Sequence, residues 1–310
     1  MNVTVRVPAT TANLGPGFDA LGLALDLWNE AEFSLPVPQS GPVGRKAEGG
    51  GLVVEISGEG QGVLRTDSGN LLVRSARMLF ERSGQAFPAG LHICCKNAIP
   101  LGSGLGSSAA AIVAGLMGAN ALLGHPCGQM DILHLATEIE GHPDNAGPAV
   151  LGGLIVAVMI GRQVVVRKIE VAQLAAAVVV PDFDLPTPAA RAALPKQVAL
   201  KDAVYNLGRS ALVVEALRTG DLELLGQVMD DRLHQPYRFK LIPGAAAALA
   251  AARQAGAAAA AISGAGPGMI AFGRGDMAPI GAAMQAAFQS AGLTARCWVL
   301  STSDIGANIR

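Results

Sequence analysis

The chain has 310 residues, of which 51% are hydrophobic and 15% charged, so it can bury a large core and is not a disordered polymer. Its formal net charge is −1, from 23 basic and 24 acidic side chains, and aromatic residues make up only 4%. This balance excludes a general attraction to nucleic acid or anionic lipid and disfavours base-stacking surfaces. We therefore expect a small-molecule partner, with no nucleic acid and no membrane.

The cysteines predict a reducing compartment. Cys94, Cys95, Cys127 and Cys297 show neither C-x-x-C pairing nor metal-ligand spacing, and we interpret the adjacent pair as small core residues. We expect no signal peptide, because no basic region followed by an apolar stretch lies near residue 1. The alanine-rich residues 245–261 are too small and too interrupted to span a bilayer. The sequence predicts a soluble cytoplasmic protein.

Strand and helix patterns alternate along the whole chain, which alone indicates an α/β or α+β class. The predicted strands are 2–7, 52–56, 91–95, 154–160, 164–169, 175–180, 258–263 and 295–301. The predicted helices are 70–80, 107–123, 127–140, one beginning near Pro188, then 203–218, 222–233, 244–256 and 279–291. Residues 36–62 are rich in glycine, proline and polar side chains and predict a surface excursion.

The first motif, residues 8–19, places a tight Gly15-Pro16-Gly17 turn after the first strand. Asn13 and Asp19 flank this turn, and we expect them to converge on one side of it. A carboxylate at Asp19 suits a substrate ammonium group.

The second motif is a glycine-rich loop that runs into an apolar helix. Alternating glycines let backbone amides turn inward, and a helix N-terminus adds free N–H donors, so the motif predicts a phosphate cradle. Its residues are Pro100, Leu101, Gly102, Ser103, Gly104, Leu105, Gly106, Ser107, Ser108, Ala109 and Ala110. It has no Gly-Lys-Ser/Thr of a Walker loop and no G-x-G-x-x-G spacing, and protein-kinase signatures are absent from the sequence.

A dense polar cluster closes the helix that follows. Pro143 and Gly141 end that helix, and the polar residues around them are either a solvated helix end or a functional site. The cluster contains Glu138, Glu140, His142, Asp144 and Asn145. Positions 138 and 140 lie about 200° apart on a helix, so both are not expected to bind one ion.

The C-terminal half offers two arginines and a third glycine motif at 262–268. Thr187 is a candidate helix N-cap with Pro188 at N1, and Arg191 follows one turn later. Arg191 and Arg238 are either surface arginines or a pair that grips a carboxylate.

Together, the motifs at 8–19, 100–110 and 262–268 resemble the signatures of the GHMP small-molecule kinases, and among them most closely the homoserine kinases. The resemblance covers nearly the whole chain. It implies an α+β, two-domain architecture. Residues 1–160 would form an ATP-binding domain with a left-handed β-α-β unit, and residues 161–310 a ferredoxin-like domain.

The resemblance also implies ATP-dependent phosphorylation of the side-chain hydroxyl of L-homoserine, in threonine biosynthesis, with ATP and Mg²⁺ as cofactors and a homodimer as the assembly. The glycine loop would bind phosphates. Asn70 would either contact the adenine or only cap the helix that begins beside it, and both alternatives stay open. Ser108 and Glu138 would bind Mg²⁺, with Glu140 as the alternative carboxylate. The residues implied to contact substrate are Asn13, Asp19, His142, Asn145, Thr187, Arg191 and Arg238.

The resemblance makes Asn145 the residue that orients the attacking hydroxyl, beside Ser108 and Glu138 as catalytic residues. Whether Asp144 or His142 acts as a base is left open, and homoserine kinases are thought to need none. Two other functions stay open at this point. A GHMP kinase for mevalonate, shikimate or a sugar would not need the arginine pair, and a nucleotide-binding regulator would be expected to lose magnesium or acceptor residues.

Overall fold

The computed structural model describes residues 2–35 and 51–310, so most of the expected surface excursion (36–50) lies outside the described residues. The strands are β1 (Asn2–Ala12), β2 (Leu21–Ser34), β3 (Val53–Gly58), β4 (His92–Asn97), β5 (Leu154–Ile160), β6 (Gln163–Ile169), β7 (Ala175–Pro181), β8 (Ala259–Ile262), β9 (Met269–Gly273), β10 (Ala295–Ser301) and β11 (Asn308–Ile309).

Helices separate most of these strands. They are α1 (Leu71–Arg82), α2 (Ser107–Leu122), α3 (Gln129–Glu140), α4 (Pro143–Leu151), α5 (Thr187–Ala192), α6 (Leu200–Thr219), α7 (Leu222–Val228), α8 (Gln235–Arg238), α9 (Ala245–Gln254) and α10 (Ala278–Ser290). No helix of the described residues has both the length and the apolar composition that crossing a bilayer requires.

The first sheet runs β11-β1-β2-β4-β3, with β5 and β6 attached beside β2. Its parallel pair is β3 and β4, joined through α1, which is where the resemblance expects the β-α-β unit. The division expected at residue 160 passes through the β5–β6 hairpin, because β6 pairs with β5 and belongs to the first sheet. The chain also returns to this sheet at its end, since β11 pairs with β1.

The second sheet has the order β10-β7-β9-β8, all antiparallel. Taken in chain order, these strands lie 4-1-3-2, which is the arrangement expected of a ferredoxin-like domain. Strand β7 is buried on both faces, because Val178 packs into the core shared with the first sheet and Val179 into the core under α9 and α10. This explains why its sequence is continuously apolar instead of alternating.

Helix α4 was not predicted from the sequence. Pro143 ends one helical run, but it also occupies the N1 position of the next helix, where its missing N–H costs nothing. Gly141, in left-handed conformation at the end of α3, and His142, the N-cap of α4, separate the two helices. The polar cluster at 138–145 is therefore a helix-to-helix corner, with its side chains held on both helices.

Helix α2 is the central helix of the first domain and carries the end of the glycine loop. It is apolar on all sides, and it packs closely against α1 at Gly115. A Cβ at Gly115 would overlap the backbone carbonyl of Leu72 on α1. The absence of a side chain here lets α2 approach α1 and sets the position of its N-terminus.

We expect Gly115→Ala to lower the free energy of unfolding by about 1–3 kcal/mol, because the added methyl group forces the two helices apart. The control is Gly208→Ala, in the interior of α6, where a Cβ meets nothing within 4 Å. There, alanine's helix propensity should stabilise by about 0.5–1 kcal/mol. Urea unfolding measures both values, and a stabilised Gly115→Ala variant would contradict the packing argument.

Candidate active site

The glycine loop and the start of α2 form one wall of a cavity of about 170 Å³ between the two domains. Gly104 and Gly106 have φ of +76° and +69°, and a Cβ at either would overlap Ser263 or Thr10. Gly106 is the N-cap of α2, whose first backbone N–H groups have no partner within the helix. The loop therefore places glycine backbone without side chains beside the positive end of a sixteen-residue helix.

The structure brings most of the predicted site residues to this cavity. The cavity-lining residues from the sequence prediction are Asn13, Asp19, Gly102, Ser103, Gly104, Gly106, Ser107, Ser108, Glu140, His142, Asp144, Asn145, Thr187, Arg191 and Arg238. Thr187 lies at the cavity as the first residue of α5, and its expected role as N-cap is wrong because Pro186 holds that position. Glu138 and Asn70 do not line this cavity.

The expected pairing of Ser108 with Glu138 does not agree with the geometry. Glu138 points away from the loop and its carboxylate accepts a hydrogen bond from Arg82 at 2.5 Å, on the exposed surface. The Ser108 hydroxyl instead donates to Glu140 Oε2 at 2.9 Å. The two carboxylates project from different sides of α3, so only Glu140 faces the glycine loop. Burial raises the pKa of Glu140, and the hydrogen bond from Ser108 opposes this shift.

Asn70 borders a second, more apolar cavity of about 410 Å³, whereas Pro100, Leu105 and Ala109 line neither cavity. The Asn70 side chain accepts a hydrogen bond from the Leu72 amide at 2.9 Å and donates to the Arg65 carbonyl at 2.6 Å. It therefore caps α1, and its expected contact with adenine stays a prediction. Leu101, Gly102, Ser107, Ser108 and Ala110 also line this cavity.

Asp19 and Arg191 form a two-pronged ion pair, with both N···O distances 2.9 Å. The Asn13 side chain fixes the Asp19 backbone by accepting its amide at 3.0 Å, and it donates to the Gly264 carbonyl at 2.7 Å. The ion pair joins the two domains across the cavity. Both side chains are more than a third exposed, so water screens the attraction and the pair opens at little cost.

Arg238 is 2% exposed, yet no carboxylate lies within ion-pair distance of it among residues 2–35 and 51–310. One of its nitrogens donates to His234 Nδ1 at 3.0 Å and to the Gly264 carbonyl at 2.9 Å, while Nε has no partner. Burial, with repulsion from Arg191 adding to it, lowers the pKa of Arg238 to about 10. A buried guanidinium that borders a cavity and pairs with no carboxylate of the described residues favours binding of an anion.

His234, which the sequence analysis did not single out, orients Arg238 from one helical turn earlier. Its Nε2–H donates to the Gly15 carbonyl at 2.8 Å, so Nδ1 is the acceptor for Arg238. Asp231 anchors this segment by accepting the backbone amides of Leu233, His234 and Gln235. Burial lowers the pKa of His234 to about 4, which keeps the ring neutral. The signal in the sequence that could have identified His234 was its position four residues before Arg238, which places both side chains on one face of a helix.

The polar corner between α3 and α4 is held by a chain of hydrogen bonds. Buried Asp144 accepts from His142 Nδ1 at 2.5 Å and from the Asn145 amide at 3.4 Å. The hydroxyl of Thr10, on β1, donates to Asn145 Oδ1 at 2.8 Å. These contacts fix the orientation of the Asn145 amide. Pairing with Asp144 raises the pKa of His142.

Because the folded state keeps His234 neutral, we expect the free energy of unfolding to decrease as the pH is lowered. Because the unfolded histidine binds a proton near pH 6.5 and the folded one only near 4, the free energy of unfolding should drop as the pH is lowered through this window, by at most about 1.4 kcal/mol per unit. His234→Gln should flatten this slope in urea unfolding. The exposed His125→Asn variant is the control, and equal slopes for His234→Gln and the parent chain would refute the assignment.

Comparisons with known proteins agree with this architecture. Residues 70–153 match the GHMP kinases N terminal domain, and residues 213–290 match the GHMP kinases C terminal domain. The homoserine kinase of Moorella thermoacetica is 45% identical over 304 residues, covering 98% of each chain.

Solved structures extend the match to the whole fold. The crystal structure of homoserine kinase from Cytophaga hutchinsonii superimposes with a TM-score of 0.85 at 33% identity, covering 100% of this chain and 97% of that one. Mevalonate kinase of L. major, at 18% identity and a TM-score of 0.73, shares the fold. The two-domain α+β architecture expected from the motifs is thereby confirmed. The chain belongs to the homoserine kinase family of the GHMP kinases.

Proposed function

We propose that the chain catalyses ATP-dependent phosphorylation of the side-chain hydroxyl of L-homoserine, giving O-phospho-L-homoserine for threonine biosynthesis. The observation that carries the choice of acceptor is the buried Arg238 guanidinium, which has no carboxylate partner in the part of the chain that the structure describes and lies next to the Asp19–Arg191 pair. An amino acid supplies one carboxylate and one ammonium group. Its carboxylate meets the two arginines, and its ammonium group replaces Arg191 beside Asp19.

The Asp19–Arg191 pair lies where the charged groups of the substrate would bind. Opening it costs little, because both groups are partly solvated, and the zwitterion restores an ion pair for each of them. A bidentate guanidinium–carboxylate contact fixes orientation as well as position, which directs the side-chain hydroxyl toward the glycine loop. Mevalonate, shikimate and sugars lack the ammonium group that Asp19 would bind.

The nucleotide phosphates bind the amides of the loop and the N-terminus of α2. The more apolar cavity beside Asn70 and Leu71 accepts the nucleoside. In phosphoryl transfer, positioning and electrostatic stabilisation supply most of the rate, and a loose transition state needs little early deprotonation of an alcohol. We assign Asn145 to orient the hydroxyl, and His142 and Asp144 to hold Asn145 in place, without a general base.

The residues beside the loop fit Mg²⁺. The Ser108 hydroxyl and the Glu140 carboxylate are hard oxygen donors 2.9 Å apart. Two protein ligands are too few to surround the ion, which suits Mg²⁺ because it takes its remaining ligands from water and nucleotide phosphates. When bound, Mg²⁺ neutralises negative charge on the phosphates. Glu140 thus takes the role first expected of Glu138.

Cytoplasmic localisation and a homodimer are further parts of the proposal. Four unpaired thiols among the described residues support a reducing compartment. Exposed apolar side chains at the β5–β6 hairpin, Val158, Met159 and Ile160, provide surface that a second subunit can bury.

The acceptor is tested by ADP release with Mg-ATP and a panel of L-homoserine, L-serine, L-threonine, mevalonate and shikimate. We expect turnover with L-homoserine. Arg191→Ala should raise the KM for L-homoserine about 10- to 100-fold, because hydrogen bonds to a charged carboxylate are lost, with the KM for ATP unchanged. Arg191→Lys should recover little, since an ammonium group cannot bind bidentately.

The control for Arg191 is Arg218→Ala, which breaks an exposed pair with Glu215 on α6. Turnover with mevalonate or shikimate alone would overturn the amino acid pocket and leave the phosphate loop intact. ATP binding without turnover of any acceptor would overturn the catalytic proposal and favour a regulator.

The metal assignment is tested by two isosteric substitutions on one helix. We expect Glu140→Gln to raise the Mg²⁺ concentration for half-maximal turnover at least about tenfold, and Glu138→Gln to leave it unchanged. Only the ionised carboxylate binds Mg²⁺ well, and the pKa of Glu140 is raised. As the pH is lowered, the apparent Mg²⁺ affinity should therefore begin to weaken at a higher pH than it would with a glutamate of ordinary pKa. The reverse pattern in the two variants would restore Glu138 as the ligand.

A further inference from the structure

Three donor side chains of different chemistry lie together on the first sheet, outside both cavities described above. Glu55 is on β3, and His92 and Cys94 are on β4. Residues two apart in a strand share a face, so His92 and Cys94 project to the same side. The parallel register places Glu55 opposite Cys94, which brings the third donor to that side. Cys95 projects to the opposite face and is buried.

The donor atoms are close enough to bind one metal ion, because one ligand atom from each of the three side chains lies within 4.8 Å of the other two. His92 Nε2 lies 3.4 Å from Cys94 Sγ and 3.1 Å from Glu55 Oε1, and Cys94 Sγ lies 3.7 Å from Glu55 Oε2. With usual Zn–S, Zn–N and Zn–O distances, neighbouring ligands of tetrahedral zinc are about 3.3–3.7 Å apart. The two contacts to Glu55 use different carboxylate oxygens, and the 3.1 Å contact is shorter than this spacing, so the Glu55 and His92 side chains must move to ligate one ion.

The charges around the thiol favour a cation. Burial raises the pKa of the Cys94 thiol, and the Glu55 carboxylate raises it further. Glu32, opposite Cys94 on β2, acts in the same direction, while Lys96 opposes it. Negative charge that disfavours a bare thiolate attracts a divalent ion, which neutralises the thiolate and the carboxylates together.

We propose that Glu55, His92 and Cys94 form a Zn²⁺-binding site whose fourth position is open to water or another ligand. Sulfur and imidazole donors select Zn²⁺ over Mg²⁺. Within the described residues β3 pairs only with β4, so the ion ties an edge strand to the sheet. Strand β3 also leads to Leu64 and Arg65 at the nucleoside cavity, and holding it stabilises that wall.

The test is a titration of the metal-free full-length chain with Co²⁺ in the absence of nucleotide. A thiolate-to-Co²⁺ charge-transfer absorption reports a cysteine ligand, and one equivalent of Zn²⁺ should displace it. The oxygen-only site at Ser108 and Glu140 gives no such absorption. We expect Cys94→Ser to abolish the band and Cys127→Ser, the matched control, to retain it.

A second variant guards against misfolding of the first. Glu55→Gln keeps the thiol and changes only an exposed carboxylate, and we expect it to weaken Co²⁺ and Zn²⁺ binding about tenfold or more. Zn²⁺ should also raise the Tm of the parent chain, but not of Cys94→Ser, whose metal-free Tm shows whether it folds. The absence of a thiolate band in the parent chain, or its survival in Cys94→Ser, would overturn the site.

Discussion

The hydroxyl of Ser263 lies where the three glycine motifs meet, and the geometry of the active site depends on this junction. It hydrogen-bonds to Thr11 in the first motif at 2.9 Å and to the Gly104 carbonyl in the second at 2.8 Å. Backbone contacts reinforce it, because Gly264 donates to Ala12 and Gly268 donates to Ser103. The third motif is therefore a support for the phosphate loop, with few side chains available for the nucleotide. A loop rich in left-handed glycines has a large conformational entropy, and these contacts from the other domain restrict it.

The same junction carries the charges of the acceptor pocket. Gly264 accepts hydrogen bonds from both Asn13 and Arg238, so one carbonyl orients the turn that holds Asp19 and the arginine that awaits an anion. His234 completes the arrangement from the other side of Arg238. Nδ1 of His234 accepts a hydrogen bond from the Arg238 guanidinium only while the ring is neutral. Burial lowers the pKa of His234 and so keeps the ring neutral. In the proposed function, this desolvated positive charge binds the carboxylate of the substrate, which offsets the cost in stability of burying it.

Much of this site could be predicted from the sequence, because the motifs are local and their residue types have few other uses. Glycine alternation before an apolar helix predicts a phosphate loop, and the resemblance placed Asn13, Asp19, Arg191 and Arg238 in one pocket, where the structure brings them together. The partner of Ser108 was not predictable. Glu138 and Glu140 have the same chemistry, and which one faces the loop depends on the rotation of α3, which its packing against α2 and α4 determines.

The cluster of Glu55, His92 and Cys94 shows the corresponding limit for sheets. Along the chain these residues show no metal-ligand spacing, and Cys94 reads as the apolar neighbour of Cys95. Successive residues of a strand point to opposite faces of the sheet, so Cys95 faces the core and Cys94 the other side. The parallel pairing of β3 with β4 then places Cys94 beside the Glu55 carboxylate and the His92 imidazole. The register also keeps the two proposed cation sites chemically distinct. Oxygen donors at the glycine loop suit an ion that brings its own water and phosphate ligands, whereas sulfur and nitrogen on a rigid sheet suit one held mainly by protein. Zn²⁺ bound at the sheet therefore need not compete with Mg²⁺ at the loop.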